Sequence, residues 1–139
     1  RDKDEIYIMD LGFGGPVPLL RGLWTFDGHW VVEAARADPG GDMPTGQIIM
    51  DGELLNEKFG YEEAFEFQTL AGRPFYFFKR DGKIGAVYEG QEIPLDYDVL
   101  QHYYCCSGGA FNPIPNQNMV SFFAMRAGTW YYVELGRYE

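Results

Sequence analysis

The sequence comprises 139 residues with a formal net charge of −10; 46% of the residues are hydrophobic and 17% are aromatic. This length fits one domain, and the apolar content is sufficient for a packed core, which argues against a disordered chain. The negative charge repels phosphate backbones, so we expect no nucleic-acid partner, and the chain has no apolar run of about eighteen residues that could span a membrane.

Three segments share a pattern of an apolar strand, a two-residue turn ending in glycine, and a second apolar strand. They begin at Leu23 (LWTFDGHWVVEA), Tyr76 (YFFKRDGKIGAVYE) and Phe122 (FFAMRAGTWYYVE). Asp27-Gly28 and Asp81-Gly82 suit a type I′ hairpin turn, because both central residues of that turn need positive φ. Ala127-Gly128 suits it less well, since positive φ strains alanine, so we expect a different turn type or a bulge there.

The two-residue loops also predict the register of each hairpin, because the residues that flank such a loop pair with each other. The predicted pairs are Thr25 with Trp30, Lys79 with Ile84, and Met125 with Trp130. The residues on the opposite face of these strands are hardly more polar than the residues of these pairs. We therefore expect layers packed against both faces of the strands.

Later glycines extend the pattern. Gly90 lies eight residues after Gly82 and Gly136 lies eight after Gly128, whereas Gly52 takes the equivalent place after Gly28 beyond an insertion. The sequence thus predicts an all-β fold of about three hairpin-based repeats in a compact propeller-like or barrel-like module. At most one short helix is expected, within NEKFGYEEAFEF (residues 56–67). The single domain 1–139 would divide into units 23–75, 76–121 and 122–139, preceded by a partial unit 5–22.

Residues 81–100, DGKIGAVYEGQEIPLDYDVL, resemble the tryptophan-glycine (WG) repeat of bacterial proteins. That repeat runs Gly-Lys-Trp-Gly, a short apolar strand, Gly, a charged residue, Ile-Pro and then Tyr-Asp. The matching residues are Gly82, Gly85, Gly90, Ile93, Pro94, Tyr97 and Asp98. The chain departs from the repeat where Ile84 replaces Trp, and where Val31 and Tyr131 replace the Gly after Trp in the other copies. The resemblance implies an all-β repeat module without a shared catalytic activity, and it transfers no active-site residues.

Few side chains in the sequence have the spacing that catalysis or metal binding requires. The two cysteines, Cys105 and Cys106, are adjacent, and a disulfide between neighbours needs strained geometry, so we expect two free thiols. A metal site built from His102 and these cysteines lacks the usual ligand spacing. A thiol nucleophile paired with His29 lacks cationic neighbours that would lower the thiol pKa. We therefore predict no metal and no cofactor.

Carboxylates are clustered in GYEEAFEF (residues 60–67) and LDYD (residues 95–98), which is compatible with a glycosidase pair. Acids occupy equivalent positions in two repeat copies, and this symmetry favours a structural role, such as hydrogen bonding at turns, over one asymmetric active site. A calcium site at Asp96 and Asp98 lacks the EF-hand pattern. We therefore predict that the protein is not an enzyme, with a hydrolase as the least favoured alternative.

Aromatic side chains and two insertions are the candidates for binding. Flat rings supply contact area and the Tyr hydroxyl a hydrogen bond, although most such rings in a β module line its interior. The insertions ARADPGGDMPTG (residues 35–46) and CCSGGAFNPIPNQN (residues 105–118) have a composition typical both of recognition loops and of tolerated filler. The candidate ligand-binding residues are Trp24, His29, Trp30, Tyr103, Tyr104, Asn116, Asn118, Trp130 and Tyr131.

These features predict a non-enzymatic interaction module that contacts another protein, or a second copy of this chain, through exposed aromatics, loops and strand edges. Unpaired strand edges are templates for strand addition, so a homo-oligomer or a filament fits this prediction. The alternative is a carbohydrate-binding module, which needs coplanar exposed rings beside polar groups, whereas a protein partner needs an exposed apolar patch. Free cysteines favour a cytoplasmic location, but a first residue other than Met fits a processed, exported form, so localisation stays open.

Overall fold

The computed structural model describes residues 19–36 and 43–137, which form twelve strands in three antiparallel sheets. The prediction of an all-β fold is therefore confirmed. None of the three sheets closes on itself, so the described residues form no barrel, and a propeller-like arrangement stays a prediction. Most of the partial unit predicted at 5–22, and residues 37–42 of the first insertion, lie outside the described residues.

The three sheets follow one another along the chain, with four strands each. The N-terminal sheet contains β1 (Leu19–Phe26), β2 (His29–Arg36), β3 (Thr45–Met50) and β4 (Glu53–Leu54), in that order. The central sheet contains β5 (Glu63–Leu70), β6 (Arg73–Arg80), β7 (Lys83–Tyr88) and β8 (Gln91–Tyr97), also in order. The C-terminal sheet contains β9 (Val99–Leu100), β10 (Ile114–Pro115), β11 (Met119–Arg126) and β12 (Thr129–Gly136). Strand β11 lies in the middle of this last sheet, with β12 on one side and both short strands on the other.

Two short helices accompany the strands. The helix α1 (Leu55–Phe59) begins one residue before the segment predicted to be helical, residues 56–67, and ends at Gly60, which has a φ of 72°. A 3-10 helix at Cys106–Phe111 was not predicted, and it corrects the expectation of at most one short helix. The Asn112 side chain closes this second helix by exchanging two hydrogen bonds with the Tyr104 backbone, a contact that a loop-like composition does not reveal. In the described part of the chain, neither helix is long and apolar enough to cross a membrane.

Among the described residues, six two-residue turns join neighbouring strands, and each has positive φ at both positions. They are Asp27-Gly28, Asp51-Gly52, Ala71-Gly72, Asp81-Gly82, Glu89-Gly90 and Ala127-Gly128. Ala127 adopts a φ of 50° and Arg126 pairs with Thr129 without a shift, so the expectation of a different turn or a bulge there was wrong. Eight paired residues on each side of this turn outweigh the local strain of an alanine in the left-handed region, which is about 1 kcal/mol.

The predicted hairpin register is confirmed in all three segments. Trp30 pairs with Thr25, Ile84 with Lys79, and Trp130 with Met125. This agreement follows from the two-residue turns, because a turn of fixed length leaves only one way to pair the residues beside it.

The turns are nevertheless not all equivalent within their sheets. Gly28 lies between the first and second strands of its sheet, whereas Gly82 lies between the second and third, and Ala71-Gly72 takes the place of the first turn in the central sheet. Gly136 lies at no turn, because it ends β12 opposite Met119. The predicted unit boundaries after residues 75 and 121 fall inside β6 and β11.

The central sheet separates two hydrophobic clusters. On one face, Phe77 is fully buried and packs edge-on against Phe122 of the C-terminal sheet, with 5.0 Å between ring centroids. On the other face, Tyr76 and Phe78 belong to a cluster with Val31 of the N-terminal sheet. Side chains of β6 alternate between the two clusters, so both faces of the central sheet are covered, as the apolar pattern predicts.

Candidate functional site

The C-terminal sheet has one covered face and one exposed face. Val120, Phe122 and Ala124 of β11 are buried in the cluster shared with the central sheet. The alternate residues of β11 and β12 point the opposite way, where Phe123 lies opposite Tyr132. The expectation of layers on both faces is therefore wrong for this sheet within the part of the chain that the structure describes.

The exposed side, which we call the outer face, continues onto the short strands and the 3-10 helix. Val99 pairs with Met125, and Ile114 pairs with Ser121, so both point to the outer side. Phe111, at the end of the 3-10 helix, packs edge-on against Phe123 with 5.4 Å between ring centroids. The outer face consists of Val99, Gln101, Phe111, Ile114, Ser121, Phe123, Met125, Trp130, Tyr132 and Glu134.

Large apolar side chains on the outer face are exposed to solvent. The exposed fraction is 59% for Ile114, 58% for Tyr132, 49% for Phe111 and 48% for Trp130. A depression of about 290 Å³ lies between Gln101, Phe111, Phe123 and Trp130. Glu134 is the one charged member of the set. A contiguous patch of this kind is typical of a surface that contacts another protein.

The rings of the outer face are not coplanar. Phe111 and Phe123 are inclined to each other by 78°, and Phe123 and Tyr132 by 52°. A sugar stacks on rings that share a plane, and polar side chains beside those rings bind its hydroxyl groups. The tilted rings instead form an uneven apolar surface, which suits side chains of a protein partner.

Of the nine residues predicted to bind a ligand, Trp130 alone lies on the outer face. Tyr131 points to the other side of β12, where its ring lies 6.3 Å from that of Tyr97 and the Arg126 guanidinium lies over both rings. Trp130 and Tyr131 therefore lie on different faces of one strand, because successive side chains of a strand alternate between its two faces.

Three other predicted residues lie in the N-terminal sheet. Trp24 is partly buried and packs against Phe67 with 5.0 Å between ring centroids. His29 Nδ1 lies 2.6 Å from Asp51 Oδ2, and the Trp30 backbone N–H donates to the other oxygen of the same carboxylate. Asp51 thus links two hairpin turns of the sheet, and these contacts stabilise the turns.

The remaining predicted residues are dispersed. Tyr103 is buried and its hydroxyl donates to Glu33, so this hydroxyl is not available to an external ligand. Tyr104 is half-exposed beside the 3-10 helix. Asn116 and Asn118 are exposed at the end of the C-terminal sheet, where the Asn116 N–H donates to the Met119 carbonyl.

The sequence interpretation missed most of the outer face. Tyr132 follows from the same alternation that places Trp130, because residues two apart on a strand share a face. Phe111 and Ile114 belong to a segment interpreted as a loop. Their position beside Phe123 depends on pairing between distant strands, which no local pattern in that segment signals.

Buried carboxylates join the three sheets, and Glu33 of β2 is the centre of one such group. A bulge in β5 frees the backbone N–H groups of Glu66 and Phe67, and both donate to the Glu33 carboxylate. Tyr103 donates to it from the segment after β9. Burial raises the pKa of Glu33, and these hydrogen bonds act against that rise. These hydrogen bonds connect β2 with β5 and with the segment after β9.

A second carboxylate, Glu63, repeats this role. It accepts a hydrogen bond from the Gly46 N–H of the N-terminal sheet, and His102 Nε2 lies 2.9 Å from it. Burial lowers the pKa of His102, but the hydrogen bond and charge of Glu63 outweigh burial and raise it. Because His102 Nδ1 also contacts the Leu100 carbonyl, both ring nitrogens are engaged and the histidine is held in place.

The cysteines form no metal site with these groups. Cys105 and Cys106 are free and exposed, and their sulfur atoms lie 2.8 Å apart. The hydrogen bond between them raises the pKa of the Cys106 thiol, which disfavours the thiolate. Among the described residues, no group of three or more His, Cys, Asp or Glu side chains is arranged to hold a metal ion.

Comparison of the chain with models of protein families, with curated proteins and with solved structures gives no match in any of the three cases. The resemblance to the WG repeat therefore stays a prediction.

Proposed function

We propose that this protein is a non-enzymatic interaction module, and that its outer face binds a protein partner with an apolar centre and a basic rim. The observation that supports this proposal is the exposure of Phe111, Ile114, Trp130 and Tyr132 on one face of a sheet whose other face lies in the core. Burial of such side chains against a partner is favourable by roughly 25 cal/mol per Å² of apolar surface.

Charge indicates the chemistry of the rim of the partner. The chain carries a net charge of −10, and the charged residue of the outer face is Glu134. Basic side chains around an apolar centre would complement this charge at the outer face, and they would speed association and fix the orientation of the partner.

The scaffold of the outer face supports tight binding because it is already ordered. Trp130 and Tyr132 stand on a strand that pairs with β11 over eight residues, and Phe123 is packed between Phe111 and Tyr132. Rings fixed in this way lose little conformational entropy when a partner covers them. The resemblance of residues 81–100 to a non-catalytic repeat family also fits an interaction module.

Selection of peptides from a random library on the immobilised protein tests this proposal. We expect the bound peptides to combine aromatic or aliphatic residues with Lys and Arg. The double variant Trp130→Ser/Tyr132→Ser should weaken their binding about a thousandfold, because two anchor side chains of about 2 kcal/mol each are lost. Fluorescence anisotropy of a labelled peptide measures the change.

The matched control is Phe59→Ser, which removes an aromatic ring of similar exposure, 43%, from the helix α1. This variant should bind the peptides as the unchanged protein does. Acidic peptides, or binding that ignores Trp130 and Tyr132, would contradict the proposal. Binding to a glycan array, lost in the double variant, would instead support the carbohydrate alternative.

A further inference from the structure

Most outer strands of the three sheets carry features that hinder pairing with another chain. Register shifts interrupt β1 and β5, and β8 contains Pro94 beside a shift. The strands β4, β9 and β10 are two residues long, and β10 includes Pro115. Bulges, prolines and short length are the usual ways in which a sheet edge is protected against strand addition.

Strand β12 has none of these features. It pairs with β11 along all eight residues without a shift, and its sequence TWYYVELG contains neither proline nor lysine. In the described part of the chain, no strand pairs with its second side. A regular edge of this length is a ready template for another strand.

Backbone groups at this edge point away from β11 at alternate residues. The turn makes Arg126 and Thr129 a hydrogen-bonded pair, so the next pair, Met125 with Trp130, directs its N–H and C=O groups outwards. The Met125 and Phe123 carbonyls confirm this alternation, because both accept hydrogen bonds from the β9 side of the sheet. By the same alternation, the N–H and C=O groups of Trp130, Tyr132 and Glu134 face the open edge.

We propose that β12 pairs with β12 of a second copy of this chain, antiparallel about a two-fold axis, so that two C-terminal sheets become one. The self-complementary backbone supports this occupant, because each outward N–H finds an outward C=O of the same strand in the other copy. Strand addition of this kind needs no apolar groove.

The charges of β12 also permit self-pairing. In a register centred on Tyr132, Glu134 lies opposite Trp130 of the second copy, and in a register centred on Val133 it lies opposite Tyr132 of the second copy. Like charges therefore do not meet in either register, and the remaining paired residues are uncharged.

A two-fold axis perpendicular to the sheet keeps the outer faces of both copies on the same side. The dimer thus carries two outer faces next to each other, which doubles the apolar surface for a partner. Edge pairing depends on backbone groups of β12, whereas the proposed function depends on side chains of the outer face. An experiment can therefore contradict one without contradicting the other.

Sedimentation velocity over a range of protein concentrations tests this inference with two variants of one residue. Tyr132→Pro removes an outward N–H that β11 does not use, and we expect it to weaken dimerisation by about tenfold or more. Tyr132→Ala removes the same ring but keeps the N–H, so its dimer should persist. Ile114→Ser, on the outer face away from the edge, should keep the dimer and weaken peptide binding.

Amide hydrogen exchange provides a test that does not depend on the folding of a variant. As the concentration of the unchanged protein rises, the Trp130, Tyr132 and Glu134 amides should become protected, whereas the Tyr131 and Val133 amides should change little because β11 already binds them. A monomer at every concentration, a dimer that survives Tyr132→Pro, or a dimer lost in Ile114→Ser would overturn the inference.

Discussion

The central sheet and the C-terminal sheet are built from the same local parts but have different surroundings. The hairpins β6–β7 and β11–β12 share their turn geometry and their register. In the central hairpin, Phe77 and Phe78 point to opposite faces and both are buried. In the C-terminal hairpin, Phe122 is buried, whereas Trp130 on the other face is half-exposed.

The difference shows that apolar residues on both faces of a hairpin do not indicate how many layers cover it. Among the described residues, the central sheet packs against a sheet on each face, whereas the C-terminal sheet packs against another sheet on one face. The pattern of apolar residues in a strand indicates which side chains favour burial. The number of layers that cover a sheet depends instead on whether the sheet lies between two other sheets or beside one. The outer face of the C-terminal sheet is therefore an apolar surface that a partner can bind.

The largest expected effect on stability comes from truncation of one aromatic ring in each sheet. The two losses should differ if the ring of the central sheet is covered and the ring on the outer face is not. Phe77→Ala leaves a cavity among Phe65, Phe75 and Phe122, so we expect the free energy of unfolding to fall by about 3–5 kcal/mol. Phe123→Ala on the outer face should cost about 1 kcal/mol. Urea unfolding followed by circular dichroism measures both, and equal losses would show that the outer face is covered.

The effect of pH should distinguish the buried acids between sheets from the exposed acid of the outer face. Burial, followed by the charge of Glu33, raises the pKa of Glu66 from 4.5 to about 7. A raised pKa stabilises the fold at low pH, and this stability is lost as the pH rises through about 7. The pKa of His102 is also raised, so it acts in the same direction.

We therefore expect the free energy of unfolding to fall by about 2 kcal/mol between pH 4.5 and pH 8, after allowance for the partial exposure of Glu66. Glu66→Gln should remove the part of this fall that Glu66 causes, whereas the part that Glu33 and His102 cause should remain. Glu134→Gln is the matched control and should preserve it, because Glu134 is exposed to solvent. Thermal unfolding across this pH range measures the dependence. Stability that rises with pH would contradict the assignment.

The smallest expected effect concerns the turns of the two hairpins. The central hairpin has Asp81 where the C-terminal hairpin has Ala127, at φ values of 52° and 50°. Asn tolerates this region better than Ala, so Ala127→Asn should stabilise the fold by about 0.5–1 kcal/mol. Differential scanning calorimetry can resolve the change. A lower melting temperature would show that the Ala127 side chain has another role.

Local features of this fold could be predicted from the sequence, and long-range features could not. The turns at Gly28, Gly82 and Gly128 predicted the pairs beside them because turn length alone sets the register. The hairpin at Ala71-Gly72 was missed, since Ala-Gly is a weaker turn signal than Asp-Gly.

The candidate site shows the same limit. Trp130 was predicted because it lies beside a turn, where aromatic side chains are often exposed. Tyr103 was also predicted to bind a ligand, but it is buried against Glu33, seventy residues away in sequence. No local pattern relates residues at that separation. Phe111 and Ile114 likewise join the outer face only through the pairing of β9 and β10 with β11.

Covalent footprinting of aromatic side chains, with mass spectrometry, tests the role of the outer face most directly. In the free protein, Phe111, Trp130 and Tyr132 should be labelled readily, and addition of a selected peptide should protect all three while Phe59 stays labelled. Protection of these rings before any peptide is added, or labelling that a bound peptide leaves unchanged, would contradict the account.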